Sequence, residues 1–150
     1  MTSIVPDEGR DYLLSLVPKG GATPTNLYLF LFTSQTASTV PAGTAVLSTA
    51  TGVTEAAYPG YARVAVASTD WGAQAADTIW GTAVRAVTAA QKSFPAATGT
   101  SSTAINGFGL ASASSAGVAV YYSNFDDTTA IASLALGDII KVTPKFGQGG

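Results

Sequence analysis

The apolar residues near the N-terminus have the spacing of one face of a helix. Pro6 precedes this segment and Pro18 follows it, so the pattern predicts a short helix over residues 7–17. Its apolar stripe consists of Tyr12, Leu13, Leu16 and Val17. Because a helix of this length is unstable alone in water, it must dock either on its own domain or on a neighbouring subunit. The pattern leaves both open.

The rest of the chain has the spacing of short strands. Residues 26–33 are apolar at odd and even positions alike, which predicts a strand covered on both faces. Further strands are predicted at residues 61–66, 78–86, 90–94, 104–111, 118–122 and 139–143. Residues 34–58 are predicted to form a long loop with at most a short strand near Val46. Turns are predicted at residues 73–77, 112–117 and 136–138.

This order of elements predicts an all-β fold. Short strands with Gly, Pro, Ser and Asp between them, and no second helix, are typical of an antiparallel β-sandwich or jelly roll. The length of 150 residues fits one such domain. We therefore predict an N-terminal helix or arm at residues 1–22 and a β-sandwich domain at residues 23–150.

The low charge content limits the classes of partner that the protein is expected to bind. Only 11% of the residues are charged, against about 25% in an average soluble domain. The basic residues are scattered singly, so no nucleic-acid-binding patch is expected. The formal net charge of −2 disfavours anionic lipid, no apolar run approaches the roughly 20 residues of a membrane span, and no targeting segment is expected. We therefore expect neither a nucleic acid nor a membrane as partner.

The chain also lacks the residues of common catalytic and metal sites. It has no histidine and no cysteine, which excludes a Ser/His/Asp triad and a thiolate ligand. Lys92 and Ser93 are neighbours in a predicted strand and so point to opposite faces. Asp126 and Asp127 lack the spacing of a calcium loop. Residues 107–112 lack the third glycine of a dinucleotide motif and instead predict close backbone approach. We expect no enzyme activity, catalytic residue, metal or cofactor.

Four aromatic residues could stack on bases or sugars: Trp71, Trp80, Tyr121 and Tyr122. Without interleaved basic residues the nucleic-acid interpretation is weak. Packing in the core or at a subunit interface is the ordinary role of such residues. Sugar binding through Trp71 or Trp80 is the alternative.

The order of several segments along the chain resembles a group of tailed-phage virion structural proteins. These segments are residues 4–14, 27–33, 53–56, 60–63, Trp71, 94–99, 105–108 and 137–144. The resembling proteins are capsid decoration (cement) proteins or tail-associated subunits, and the resemblance implies a virion component, assembled in the host cytoplasm, without catalytic residues. It does not distinguish the capsid from the tail.

The function expected first is a capsid decoration protein that binds and stabilises the lattice of the major capsid protein. A homo-oligomer is expected, with a trimer favoured. The candidate partner contacts are the helical stripe of Tyr12, Leu13, Leu16 and Val17 together with Phe146 in the glycine-rich C-terminal segment. The alternatives are a phage tail, fibre or baseplate subunit, or a carbohydrate-binding host-attachment module.

Overall fold

A computed structural model of the chain describes residues 3–4, 25–35, 53–76, 84–125 and 130–149. These residues form antiparallel strands and one 3-10 turn, Ser68–Asp70. The strands are β1 (Ser3–Ile4), β2 (Asn26–Gln35), β3 (Val53–Glu55), β4 (Val64–Ala67), β5 (Ala75–Ala76), β6 (Val84–Thr88), β7 (Lys92–Ser93), β8 (Gly107–Ala111), β9 (Ala119–Asn124), β10 (Lys141–Val142) and β11 (Lys145–Gly149). The prediction of an antiparallel all-β fold is confirmed for this part of the chain.

The strands form one large sheet and two small ones. The large sheet has the order β1-β9-β8-β2-β3, and β4 also pairs with β2. Strand β2 lies in the middle: β8 pairs along one edge, while β4 and β3 pair in succession along the other. The small sheets are β10-β7 and β11-β6-β5. The predicted helix at 7–17 lies outside the described residues, and of the predicted arm at 1–22 only β1 is described, beside β9.

Strand β2 is buried on both faces, as its composition predicts. Leu29, Phe30, Leu31 and Phe32 all have 0% of their surface exposed. Since side chains alternate along a strand, β2 divides the core in two. The leucine face holds Leu27, Leu29 and Leu31 and packs against the larger cluster of buried residues. The aromatic face holds Tyr28, Phe30 and Phe32 and packs against a smaller cluster that includes Tyr122.

The glycines of β8 allow this packing on the aromatic face. Gly107 lies opposite Phe32 and Gly109 lies opposite Phe30 in the β2–β8 pair. A Cβ atom on either glycine would overlap the ring carbons of the facing phenylalanine. The expectation that residues 107–112 form a strand with close backbone approach is thereby confirmed for β8.

Several predicted boundaries are wrong. The predicted loop at 34–58 contains the end of β2 and all of β3, which pair across a register shift between Phe32 and Ser34. The predicted turn at 73–77 contains β5, and β11 was not predicted. These strands are too short or too glycine-rich to show alternation, and they form because β2 and β6 supply partners. The predicted strand at 61–66 begins only at Val64 because a turn with Gly60 at φ 88° precedes it. Val46 and residues 78–83 lie outside the described part.

No helix among the described residues is long and apolar enough to cross a membrane.

Candidate functional site

A partly buried ion pair joins β3 to the segment that leads into β4. Arg63 Nε donates to Glu55 Oε1 at 2.7 Å, and Arg63 Nη2 donates to Glu55 Oε2 at 2.6 Å. The Arg63 side chain is 5% exposed and the Glu55 side chain 22%. The hydrogen bonds that Arg63 donates to Glu55 raise the pKa of Arg63 above its ordinary value. Such a two-bond arrangement fixes both side chains in one geometry, and we call it the Arg63–Glu55 pair.

Tyr61 connects this pair to the centre of the sheet. Its hydroxyl donates to Glu55 Oε1 at 2.7 Å and accepts from the Leu31 backbone N–H at 3.1 Å. Burial raises the pKa of Tyr61 well above its usual value of 10.0, so the hydroxyl keeps its proton. The ring stacks on Phe94 at 6.1 Å between centroids. Tyr61 therefore extends the polar contacts of the pair into the leucine face.

Arg63 also holds the loop between β8 and β9. Its Nη1 atom donates to the carbonyl oxygens of Ala113 and Ala116, both at 2.7 Å. Ala116 has a φ of 50°, which is uncommon for a residue other than glycine, and Gly117 follows at 73°. The turn predicted at 112–117 is present. The Arg63 guanidinium group stabilises the conformation of this turn by donating hydrogen bonds to two of the turn's carbonyl groups.

A pocket of about 180 Å³ opens next to Glu55. One wall is the chain after β3, from Ala56 to Tyr58, and the other is the chain before β8, from Ser101 to Ile105. Thr33 also lines the pocket. It follows Leu27, Leu29 and Leu31 at alternate positions of β2, so the apolar side chains on this face are succeeded by a hydroxyl group. The pocket therefore lies at the end of the leucine face.

Two large apolar side chains are exposed at the turn before β10. Leu136 is 72% exposed and Ile139 is 53% exposed. Asp138 closes this turn, because its Oδ2 atom accepts from the Ala135 N–H at 2.7 Å. The Gly137 N–H donates to the Ala97 carbonyl at 2.8 Å, so the turn is fastened to a neighbouring segment.

The predicted contact residues are only partly described. Tyr12, Leu13, Leu16 and Val17 lie outside the described residues. Phe146 lies in β11, where its ring meets that of Tyr121 edge to face at 5.4 Å and packs on the main core. Whether any of these residues contacts a partner stays a prediction.

The other candidate residues that the structure describes do not lie together in one site. Trp71 packs against the core and bridges to Ala89, while Tyr121 and Tyr122 are buried at 1% exposure. Lys92 pairs with Asp70 at 2.6 Å. Trp80, Asp126 and Asp127 lie outside the described residues. In the part that the structure describes, no three acidic, histidine or cysteine residues are grouped so that they could hold a metal ion.

Sequence reasoning missed the Arg63–Glu55 pair as a structural feature. The two residues lay in a predicted loop, 34–58, and a predicted strand, 61–66, and nothing in the sequence analysis paired them. The available signal is the scarcity of charge: with 11% charged residues, an Arg and a Glu in otherwise apolar strand segments need partners when they are buried.

Comparison with known families defines the class of this protein. It is a structural protein of the virion of a tailed phage. A model of the family described as Podophage GP4 fiber I protein gp80 matches residues 13–145, so the chain belongs to this family. No curated protein matches the chain.

The family match favours one of the functions expected from the sequence. It supports the alternative of a phage tail or fibre subunit and a place in the virion. It gives no support to capsid decoration, which was the first expectation. The earlier resemblance could not separate these functions because small β-rich subunits occur at both places. The trimer stays a prediction.

Proposed function

We propose that this protein is a structural subunit of a phage tail fibre. The observation that carries the proposal is the match to a fibre protein family over residues 13–145, which includes β2 to β10. A fibre subunit acts through its shape and its contacts, and we propose no catalytic step for it.

The packing of the strands supports a mechanical role for the domain, in which it resists bending. Val142 of β10 and Phe146 of β11 pack in the same core as Leu29 and Leu31 of the large sheet. The small sheets therefore contribute to one side of the large sheet, an arrangement that we propose to be a two-layer β-sandwich. Two packed layers resist bending better than one sheet because both layers must shear to deform.

The low charge supports a role in repeated assembly. A formal net charge of −2 over 150 residues gives little repulsion between copies. We propose that copies of the chain associate with each other, as a trimer in the first instance, within the fibre.

The location in the particle tests the proposal. Purified particles are separated into heads and tails, and the amount of this protein relative to the major capsid protein is measured in each fraction by mass spectrometry. We expect the protein in the tail fraction, at a copy number far below that of the capsid protein. Near parity with the capsid protein in the head fraction would instead establish decoration and overturn the fibre proposal.

The oligomer is tested on the purified full chain. Light scattering gives the molar mass in solution, and a trimer predicts a threefold multiple of the 15.0 kDa chain. A monomer at all concentrations would contradict self-association without affecting the location in the tail.

A further inference from the structure

Asn106 connects three strands of the large sheet at the start of β8. Its backbone N–H donates to the Phe32 carbonyl of β2 at 2.9 Å, and its carbonyl accepts at 3.1 Å from the N–H of Phe125, which follows β9. Its side-chain Nδ2 atom donates to the Thr33 carbonyl of β2. The residue is half-buried and directly precedes β8. One asparagine therefore holds the start of β8 to both neighbouring strands.

The packing of the sheet requires a glycine directly after Asn106. A Cβ atom at Gly107 would overlap the Phe32 ring and the Ser123 carbonyl oxygen. Gly107 is also paired on both sides, with Phe32 of β2 and with Asn124 of β9. The fold therefore places an Asn-Gly sequence at the point where the three strands meet.

An Asn-Gly sequence can deamidate without an enzyme. The backbone nitrogen of Gly107 gives its proton to hydroxide and attacks the Cγ atom of Asn106. A C–N bond forms and closes a five-membered succinimide, the Cγ–Nδ2 bond breaks, and the side-chain nitrogen takes a proton from water and leaves as ammonia. Water then adds to one of the two ring carbonyl carbons and leaves aspartate or isoaspartate. Glycine favours the attack because it has no side chain and its backbone is the least restricted.

The closed sheet opposes this reaction. The Thr33 carbonyl holds the side-chain amide of Asn106, and the two neighbouring strands hold the backbone of Gly107. Both groups must be released before the nitrogen can reach Cγ. The reaction therefore requires the start of β8 to separate from its neighbours, which is a local opening of the fold.

We propose that Asn106 is a site of spontaneous deamidation that reacts when the start of β8 opens, and that the reaction makes the opening irreversible. An aspartate at this position cannot donate to the Thr33 carbonyl and brings a negative charge to a hydrogen-bond acceptor. An isoaspartate adds one carbon atom to the backbone, so β8 loses its register with β2 and β9. Deamidation at Asn106 therefore limits the lifetime of the folded subunit.

The chain supplies internal controls for the experiment. Its two other asparagines are Asn26, which precedes a leucine, and Asn124, which precedes a phenylalanine. The full-length protein is incubated in mildly alkaline buffer, folded or unfolded in urea, and peptide mass mapping measures aspartate and isoaspartate at each asparagine. In the unfolded chain Asn106 should react well before the other two. In the folded chain the rate at Asn106 should be much lower.

Two perturbations test whether opening controls the rate at Asn106. Leu31→Ala removes a fully buried side chain and should accelerate deamidation of the folded protein by up to about 100-fold, the factor by which such a cavity raises the population of the unfolded chain. Leu31→Met keeps most of the volume and should change the rate much less. Urea below the unfolding midpoint should accelerate the reaction of the unaltered chain, which requires no variant to fold.

The consequence of the reaction is tested with Asn106→Asp. Chemical denaturation should show a lower midpoint for this variant than for the unaltered chain, or no folded state at all. Gln91→Glu adds the same negative charge at an exposed position and should leave the midpoint nearly unchanged. An Asn106→Asp variant as stable as Gln91→Glu would contradict the proposed irreversibility.

Two further results would overturn the proposal. The first is an equal rate at Asn106 in the folded and the unfolded chain. The second is a rate in the folded chain that neither Leu31→Ala nor dilute urea increases. None of these measurements depends on where the protein lies in the particle, so the proposed deamidation and the fibre function can fail separately.

Discussion

The two faces of strand β2 bury their side chains in different ways. On the leucine face, Leu29 and Leu31 belong to a cluster of buried side chains that includes residues as distant along the chain as Phe94 and Val142. On the aromatic face, the rings of Phe30 and Phe32 lie directly over the backbone of Gly109 and Gly107. Phe32 also meets Tyr122 edge to face, with 6.1 Å between ring centroids.

The two faces of β2 therefore fill the space beside the sheet in two ways: side chains pack on side chains on the leucine face, and rings pack on backbone on the aromatic face. Side chains that pack on side chains can shift when one of them changes, so the free-energy cost is spread over several neighbours. A ring that lies on glycine contacts backbone, which cannot move without disturbing hydrogen bonds between strands. The leucine face should therefore tolerate small changes that the aromatic face does not.

The largest expected effect is that of Gly109→Ala. The new methyl group would overlap the Phe30 ring and lie 2.6 Å from the Tyr121 carbonyl oxygen. We expect loss of the folded state, or destabilisation by more than about 4 kcal/mol, in chemical denaturation. Gly99→Ala is the matched control, since its nearest obstacles are Pro59 atoms at 3.3 Å, and it should cost less than about 1 kcal/mol. Equal effects of the two variants would contradict the proposed role of glycine.

Leu31→Ala tests the leucine face. Removing this fully buried side chain leaves a cavity, and we expect the free energy of unfolding to fall by about 3 kcal/mol. Leu31→Met keeps most of the volume and should cost less than about 1.5 kcal/mol. Calorimetry measures both. If Leu31→Met destabilised the domain as much as Leu31→Ala, the leucine face would be as intolerant as the aromatic one.

Arg63→Met tests the polar contacts at the edge where the two faces meet. The Arg63 guanidinium lies 5.9 Å from the Phe30 ring centroid on the aromatic face, while Tyr61 packs on the leucine face. The variant leaves Glu55 and the Ala113 and Ala116 carbonyls without this donor. We expect the free energy of unfolding, measured by chemical denaturation, to fall by about 2 kcal/mol. This is less than the loss expected for a fully buried pair, because Glu55 is 22% exposed.

Lys92→Met is the control for this variant. Lys92 pairs with Asp70, which hydrogen bonds and an opposite charge hold at a lowered pKa. Lys92 is more exposed to solvent than Arg63, so loss of the Lys92–Asp70 pair should change the unfolding midpoint little. High salt should remove this small change. The effect of Arg63→Met should persist at high salt. The reverse pattern would show that the Arg63–Glu55 pair behaves as a surface ion pair.

The smallest expected effect is an alkaline loss of stability from tyrosines on both faces. Burial raises the pKa of Tyr61 on the leucine face and of Tyr122 on the aromatic face above 10.0. Above that pH the unfolded chain releases these protons while the folded chain retains them, so stability falls as the pH rises. The denaturation midpoint should be level up to about pH 9 and decrease toward about pH 11. Tyr61→Phe should flatten this decrease, and an unchanged slope would exclude Tyr61 as a source.

The candidate site was less predictable than the core. The turn at 112–117 follows from its run of Ser, Ala and Gly, yet nothing in that run indicates that Arg63 binds its carbonyl groups. Thr33 marks the end of an apolar row, but Ser101 and Thr103 reach it only because β2 and β8 are paired. A pocket between distant segments depends on strand order, which local pattern does not encode.

The sequence by itself determined that the middle of β2, residues 29–32, would be buried on both faces and that the glycines of β8 would admit a close neighbour. It also determined that the part of the chain described by the structure would be antiparallel and all-β. These properties follow from side-chain size and alternation over a few residues. Only the tertiary structure decided that β3, β5 and β11 are strands, that Phe30 and Phe32 are the neighbours of those glycines, and that Glu55 pairs with Arg63. A short segment has too little intrinsic preference for the strand conformation to form a strand alone, and a single charged residue does not specify its partner. Whether such a segment is a strand, and what the charge pairs with, depends on the neighbours that the rest of the fold supplies.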